Sequence, residues 1–419
     1  MIDIYKNRTL IYIGFMLYLM YILISDEIYN NINIKNKYDI ILLLLISYIS
    51  INLFINDISK LFINNTSKIT KWNRNKCEYK MSNTLNRILD DNNIQQGENC
   101  DLYIPCGYDN MKDEIKKMPI KKDMKYFIIN NADYMTAKDW LWKNVVNYHG
   151  ITKASTLMPL TYILSNDRDM NIMKNDFRND KIYIMKKNIQ RQEGLKITNN
   201  INEIIKGRDE GYVLVQELLQ NPYIINERKT NMRFYVLIIC KNNKINVFVY
   251  NDGFMYYTRE IFIKGSLEVG PNITTGYIDR QIYETNPLTH KDLCKYLDKE
   301  RILNKTEIEK RGQGNILSEI YFIKINELLK EIFISFIGKI CNGKLKNNMT
   351  FQLFGVDIAV DENLNPMIME INKGPDMEGK DKRDTELKYN VMSDVMKLIG
   401  LIKNDEKNGF YEIINSVKN

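Results

Sequence analysis

An α+β fold, with mixed or antiparallel sheets and helices packed on them, is what this sequence predicts, and three observations carry it. Residues 232–240 (MRFYVLIIC) and 245–250 (INVFVY) flank Lys241-Asn-Asn-Lys244, the composition of a β-hairpin, and residues 351–372 read as a second one. Residues 316–340 and 385–401 have helical periodicity instead. Strands and helices follow one another without the regular βαβ alternation of a doubly wound sheet.

The 419 residues, 44% hydrophobic and 26% charged, describe a globular chain of two or three packed units. A formal net charge of +7 fits an acidic partner, but no basic run marks a nucleic-acid stripe, so no nucleic acid is expected. Six cysteines are scattered without a CxxC pair and only His149 and His290 occur, which argues against zinc and for reduced thiols.

Two uncharged runs open the chain, residues 9–25 (TLIYIGFMLYLMYILIS) and 40–56 (IILLLLISYISINLFIN). Each lies at the short end of the roughly 17–25 residues that span a bilayer as a helix. Lys6 and Arg8 would suit a signal peptide, but no small-x-small cleavage site follows Ser25. A buried helical hairpin is the other alternative. Basic residues after the second run (Lys60, Lys68, Lys71, Arg74, Lys76) favour a transmembrane helical hairpin with both ends cytoplasmic. The expectation is a membrane-anchored protein whose larger part faces the cytoplasm.

Residues 64–110 are polar and asparagine-rich, with few patterns beyond a linker and small elements. Residues 125–130 look like a strand and 137–148 like a helix. Further strands are expected at 158–164, at 181–186, and at 212–219 before Asn221-Pro222.

The most informative stretch is residues 351–376, FQLFGVDIAVDENLNPMIMEINKGPD. Alternation along a strand sets Val356, Ile358 and Val360 on one face and Gly355, Asp357 and Ala359 on the other. On the returning strand Glu370 and Asn372 share a face, and a four-residue turn at 362–365 would set Asp357 across from Glu370. Facing carboxylates repel unless something compensates, and a hard divalent cation does so with oxygen ligands. Gly355 and Ala359 would leave room for nucleotide phosphate. Spacing alone leaves two readings open, a divalent-metal site or an ordinary exposed face.

This stretch resembles the signature FELFGxDxxxDxxxxPxxxEvN of the tubulin–tyrosine ligase-like family, whose members are ATP-grasp ligases. The resemblance implies magnesium at Asp357, Glu370 and Asn372. Other blocks stand in the family's order. IYIMKK is similar to its WIxKP strand, implying that Lys186 binds nucleotide phosphate, and Arg191-Gln-Glu-Gly194-Leu195 to its glycine-rich flap. VLVQELLQNP resembles the hinge that receives adenine at Gln216, Glu217, Leu218 and Leu219, and ERKTNMRFYVL the KFDxRxYVL block carrying Lys229, Asn231 and Arg233. MPLTYIL, Gly314-Asn315 and the DTELKYNVMSDVMKLIG helix with Lys388 and Asp394 complete a collinear set over residues 155–400. Four positions depart from the pattern: Asn231 for aspartate, Tyr256 for arginine, Thr275 for asparagine and Lys373 for a small residue.

The resemblance implies an ATP-grasp fold and a ligase using ATP and Mg2+. A substrate carboxylate would attack the γ-phosphate and an amine would then take the acyl group, with Lys229 and Arg233 assisting the transfer. The implied partners are a free amino acid and an acidic protein acceptor such as tubulin. The departures raise two alternatives, a nucleotide-binding or inactive relative serving as a membrane-tethered interaction module, and an ATP-grasp ligase for a small peptide. The expected layout is a membrane hairpin over 1–63, a linker and small domain over 64–154, a central ATP-grasp domain over 155–211, a C-terminal one with the metal site over 212–403, and a tail over 404–419.

Overall fold

The computed structural model describes residues 70–74, 77, 79–189, 194–242, 244–303, 317–404 and 407–418, all within one compact unit. Its first strands are β1 (Lys71–Asn73), β2 (Gln95–Gln96), β3 (Leu102–Tyr103) and β4 (Lys125–Tyr126), all short and joined in parallel. Next come β5 (Thr161–Ile163), β6 (Tyr183–Lys186), β7 (Leu195–Thr198) and β8 (Leu214–Glu217), a separate antiparallel sheet in the order β5-β8-β6-β7. The rest are β9 (Ile224–Ile225), β10 (Arg228–Lys241), β11 (Lys244–Thr258), β12 (Thr274–Thr275), β13 (Met349–Val360), β14 (Pro366–Asn372) and β15 (Phe410–Lys418). Among the described residues these join β1–β4 in one mixed sheet ordered β12-β11-β10-β13-β4-β3-β1-β2, with β14 on β13, β15 on β11 and β9 on β10. Residues 404–419, expected to be a tail, include β15.

The helices are α1 (Asn83–Asp91), α2 (Met111–Lys117), α3 (Asp133–Thr136), α4 (Lys138–His149), α5 (Ile151–Leu157), α6 (Asp167–Asp176), α7 (Ile201–Gly207), α8 (Ile282–Thr285), α9 (His290–Leu303), α10 (Leu317–Ile334) and α11 (Lys382–Leu398). Several start on side-chain caps: Asn166 Oδ1 accepts from two amides of α6, and Asp381 accepts from Asp384 N on α11.

Strand alternation divides the large sheet's side chains between two cores. On β10 and β13, Phe234, Val236, Ile238, Phe354, Val356 and Ile358 pack with α10 and α4 on one side. Tyr235, Leu237, Phe351 and Leu353 pack on the other with Leu85, Ile88 and Leu89 of α1 and Leu387, Val391 and Val395 of α11. The small sheet is covered on one face by Met170 and Met173 of α6 and Ile204 of α7. Its other face presents Ile184, Ile197 and Leu218.

Gly253 lets β11 approach β10, since a Cβ there would lie 2.1 Å from the Arg233 carbonyl oxygen. The turn between β10 and β11 is shorter than the four residues expected, and Asn242 has φ of 53°, a conformation asparagine tolerates.

Two expectations are corrected. The membrane-anchored localisation fails because, among the described residues, no helix is long and apolar enough to cross a bilayer. The runs 9–25 and 40–56 on which it rested lie outside the described residues. The thiols are not all reduced: Cys77 bonds to Cys106 and Cys240 to Cys341, pairs 29 and 101 residues apart that only tertiary folding brings together. Cys100 and Cys294 remain thiols.

Phe351 stacks on Phe127 at a 4.8 Å centroid distance and is fully buried. Phe351→Ala is expected to lower the unfolding free energy by about 3–5 kcal/mol, whereas Ile323→Ala, on the exposed face of α10, should change it little. Urea unfolding of both variants measures the difference, and equal losses would contradict the core assigned to β13.

Candidate active site

The two sheets and the start of α4 enclose a cavity of about 420 Å³. Its lining includes an apolar cluster of Ile184, Leu195, Leu218 and Ile273, and carries Lys138, Lys186, Lys229, Arg233, Asp357, Glu370 and Asn372. A volume of this size suits a nucleotide-sized ligand, with an apolar slot for a ring and cations for an anion.

The carboxylate pairing is set by β13 and β14, which bring Asp357 opposite Glu370 and Gly355 opposite Asn372. The turn is not the four-residue one expected. Val360 pairs with Pro366, and residues 361–365 form a loop in which Asp361 Oδ1 accepts from Asn363 N and Asn365 N at 2.9 and 2.7 Å. That register alone would bring Asp357 against Met369. A bulge between Asp357 and Ile358 shifts the pairing by one residue and re-aims Glu370 and Asn372.

Arg233 of β10 faces Asp357 of β13 and donates to both its oxygens, with Nη2 3.0 Å from Oδ2. Their side chains are only 12% and 11% exposed. Burial pushes the Asp357 carboxyl up to about 6 against the opposing pull of Arg233, so it is ionised at neutral pH. A Cβ on Gly355 would meet Arg233 Nη1 at 3.0 Å and Pro375 Cβ at 3.1 Å. The room left by Gly355 therefore holds the guanidinium rather than phosphate, and Ala359 is fully buried in the sheet.

Glu370 accepts from Asn372 Nδ2 at 3.0 Å. Burial works to raise its pKa, but Lys138, the Asn372 hydrogen bond, Lys186 and Arg233 together hold it below the usual carboxylate range. Burial pushes the Lys186 ammonium down to about 8, partly offset by Glu370, and pushes Lys229 to about 8 with Lys186 adding to the effect. Lys186 Nζ donates to Gln216 Oε1 at 2.7 Å, and Lys229 Nζ to the Leu219 carbonyl at 3.2 Å. Asn231 Oδ1 is buried without a partner, an acceptor that a bound hydroxyl or ammonium would satisfy. Two carboxylates and an amide on one wall are a donor set that fits magnesium; among the described residues no cluster of three His, Cys, Asp or Glu side chains competes with it.

Other expected residues are arranged differently. Of residues 216–219 only Leu218 lines the cavity: Gln216 reaches Lys186, Glu217 pairs with Lys181 at 2.5 Å, and Leu219 contributes its carbonyl to Lys229. The amides of Glu217 and Leu218 already donate to Leu160 O and Ile182 O. Gly194 closes the flap with φ of 71°, its carbonyl accepting from Lys187 N, while Arg191, Gly314 and Asn315 lie outside the described residues. Lys373 turns away to Asp133 at 2.8 Å and adds no charge to the cavity.

Lys138 was not legible in the sequence. As the first residue of α4 it donates Nζ to Ile189 O at 2.9 Å and its amide to Asn188 Oδ1 at 3.2 Å, joining that helix to the end of β6. Arg259, Tyr277 and Lys380 at the mouth were missed too; Lys380 Nζ sits 3.8 Å from the Tyr277 ring centroid. Residues on loops and helix starts carry no periodicity that would have flagged them.

Removing one partner of a buried pair strands the other. Arg233→Met should cost about 3–5 kcal/mol of stability, and adding Asp357→Asn should recover at least half of it. Denaturant midpoints for the two singles and the double variant measure this coupling; additive losses would deny it.

Probable tubulin polyglutamylase ttll-9 of Caenorhabditis elegans is 25% identical over 305 residues, 67% of this chain and 70% of that protein. Tubulin glycylase 3B of Tetrahymena thermophila is 28% identical over 276 residues, 61% of this chain, and mouse Probable tubulin polyglutamylase TTLL9 is 26% identical over 196, 46% of this chain. These matches span only 22% and 39% of the ciliate and mouse proteins. The model of the tubulin-tyrosine ligase family matches residues 118–408, so most of the described unit is covered, and the chain belongs to that family.

Proposed function

We propose that this chain is an ATP- and magnesium-dependent carboxylate–amine ligase with an ATP-grasp fold, adding an amino acid to an acidic protein acceptor such as tubulin. The observation that carries the reading is a cavity whose lining combines an apolar slot, the cations Lys138, Lys186, Lys229 and Arg233, and a carboxylate–carboxylate–amide wall. The names of the relatives, polyglutamylases and a glycylase of tubulin, support a protein acceptor.

In this reading the apolar slot around Leu218 and Ile273 holds the adenine. Lys138, Lys186 and Lys229 bind the phosphates, and Arg233 neutralises charge on the transferring phosphoryl group. A substrate carboxylate oxygen attacks the γ-phosphorus, the bond to the β–γ bridging oxygen breaks, and ADP leaves. The amine of the second substrate attacks the acyl carbon, inorganic phosphate departs, and the amine loses its proton. Magnesium at Asp357, Glu370 and Asn372 supplies charge neutralisation for the phosphates when bound. Asn231 Oδ1 accepts a hydrogen bond from a bound hydroxyl or ammonium.

A second reading, nucleotide binding without turnover, is favoured by one observation. Tyr256 replaces an arginine of the family pattern, and the remaining Arg233 is held on Asp357 by two hydrogen bonds, 5.2 Å from the Tyr256 ring. The full chain should bind a non-hydrolysable ATP analogue in a magnesium-dependent way, and Asp357→Ala/Glu370→Ala should weaken binding at least tenfold, on the order of 1.4 kcal/mol. Equal binding by both proteins would sink the ligase reading. ADP release that rises on adding glutamate or glycine with an acidic acceptor peptide separates turnover from binding alone.

The lysines predict the pH dependence. With pKa values of about 8, Lys186 and Lys229 are cationic below that pH and lose charge above it. Affinity for the analogue should therefore fall between pH 7 and 9, by about threefold to tenfold, and Lys186→Gln should flatten the profile. A profile rising over that range would contradict the assignment.

A further inference from the structure

Beside the cavity mouth, loop 259–273 projects Ile261, Ile263, Leu267 and Val269, each 42–51% exposed. The loop is held in shape. Ile273 N donates to Val269 O at 2.9 Å, and the buried Asn272 donates from Nδ2 to Ser266 O and Glu268 O at 2.8 and 2.9 Å. It is also tied to the neighbouring chain by Phe262 N to Glu227 O at 2.8 Å and Gly265 N to Gln220 Oε1 at 2.9 Å. Its apolar side chains thus face outward on an ordered ledge. Both ends of that ledge enter the cavity wall, Arg259 at one and Ile273 to Tyr277 at the other.

We infer that this ledge docks the acceptor polypeptide, taking bulky apolar side chains that flank an acidic reacting residue; the inference rests on the ligase reading above. A cavity of about 420 Å³ suits a nucleotide-sized ligand, whereas a polypeptide must continue past the mouth and across the loop. Charge at the mouth fits such a partner. Arg259 and Lys380 line it and the exposed Lys264 sits at the loop's tip, so acidic groups are drawn to the mouth while the ledge supplies apolar contact. Glu260 and Glu268 on the same loop repel a uniformly acidic chain, which favours an acceptor with apolar residues between its carboxylates. Exposed apolar side chains scattered singly mean little, but four on one fixed loop at the entrance of a ligand cavity are a concentration that an apolar partner would cover.

The test uses the full chain with magnesium and a non-hydrolysable ATP analogue, and two fluorescent peptides of equal charge. One is glutamate-rich with interspersed leucine and phenylalanine; the other has alanine at those positions. The apolar peptide should bind about tenfold more tightly, and Ile261→Glu/Ile263→Glu or Leu267→Glu/Val269→Glu should abolish that preference. Binding of the analogue and the thermal midpoint should stay unchanged, because none of the four residues lines the cavity. Equal binding of the two peptides, or a preference that survives both double variants, overturns the proposal. A wild-type dimer that either variant dissolves assigns the ledge to self-association and overturns it as well. Failure of the analogue to bind wild type refutes the ligase reading separately.

Discussion

Everything at this site depends on keeping two neighbouring carboxylates ionised away from water. Asp357 and Glu370 face each other across β13 and β14, and the wall that holds them is largely enclosed. Unit charges about 4 Å apart in such surroundings interact by roughly 4 kcal/mol, so the pair stands only with cations around it. Those cations come from separate parts of the fold: Arg233 from β10, Lys186 from the small sheet and Lys138 from α4. The charge balance is thus met only when both sheets and that helix have come together. Folding and site assembly are coupled for an electrostatic reason.

That coupling explains what could be read in the sequence. Alternation along β10, β13 and β14 is a local property, and it correctly groups Asp357 with Gly355 on one strand and Glu370 with Asn372 on the other. The pairing of Asp357 with Glu370 was also legible, but through a turn of the wrong length. The real loop is one residue longer on the β13 side, and the bulge compensates. A bulge has no signature in alternation, because it breaks the period that alternation measures. The 14-residue β10 and 15-residue β11 outrun the shorter runs expected, as their ends carry polar residues that the neighbouring strands satisfy.

Residues contributed by single positions were not legible. Lys138 reads as an ordinary first-turn residue of an amphipathic helix, and only the meeting of α4 with β6 and β14 gives it a role. The disulfide partners are equally silent, since Cys240 lies within β10 and Cys341 in the connection before β13, with nothing local linking them. The membrane expectation failed in a different way. It weighed two uncharged runs at the margin of spanning length, and no described helix provides the span.

The departures from the family pattern acquire a different meaning once the register is known. Asn231 and Tyr256, replacing an aspartate and an arginine of the family pattern, are direct partners across β10 and β11. The two changes remove one negative and one positive charge from facing positions, so the net charge of the wall is unaltered. Independent decay would be expected to leave an unpaired charge in a desolvated wall, at a cost of several kcal/mol. A paired, charge-neutral exchange avoids that cost and keeps Arg233 beside an aromatic face, 5.2 Å from the Tyr256 ring, where a cation is favourable. The cavity retains its lysines, its carboxylates and the acceptor oxygen of Asn231 while changing the shape and hydrogen-bonding of one side.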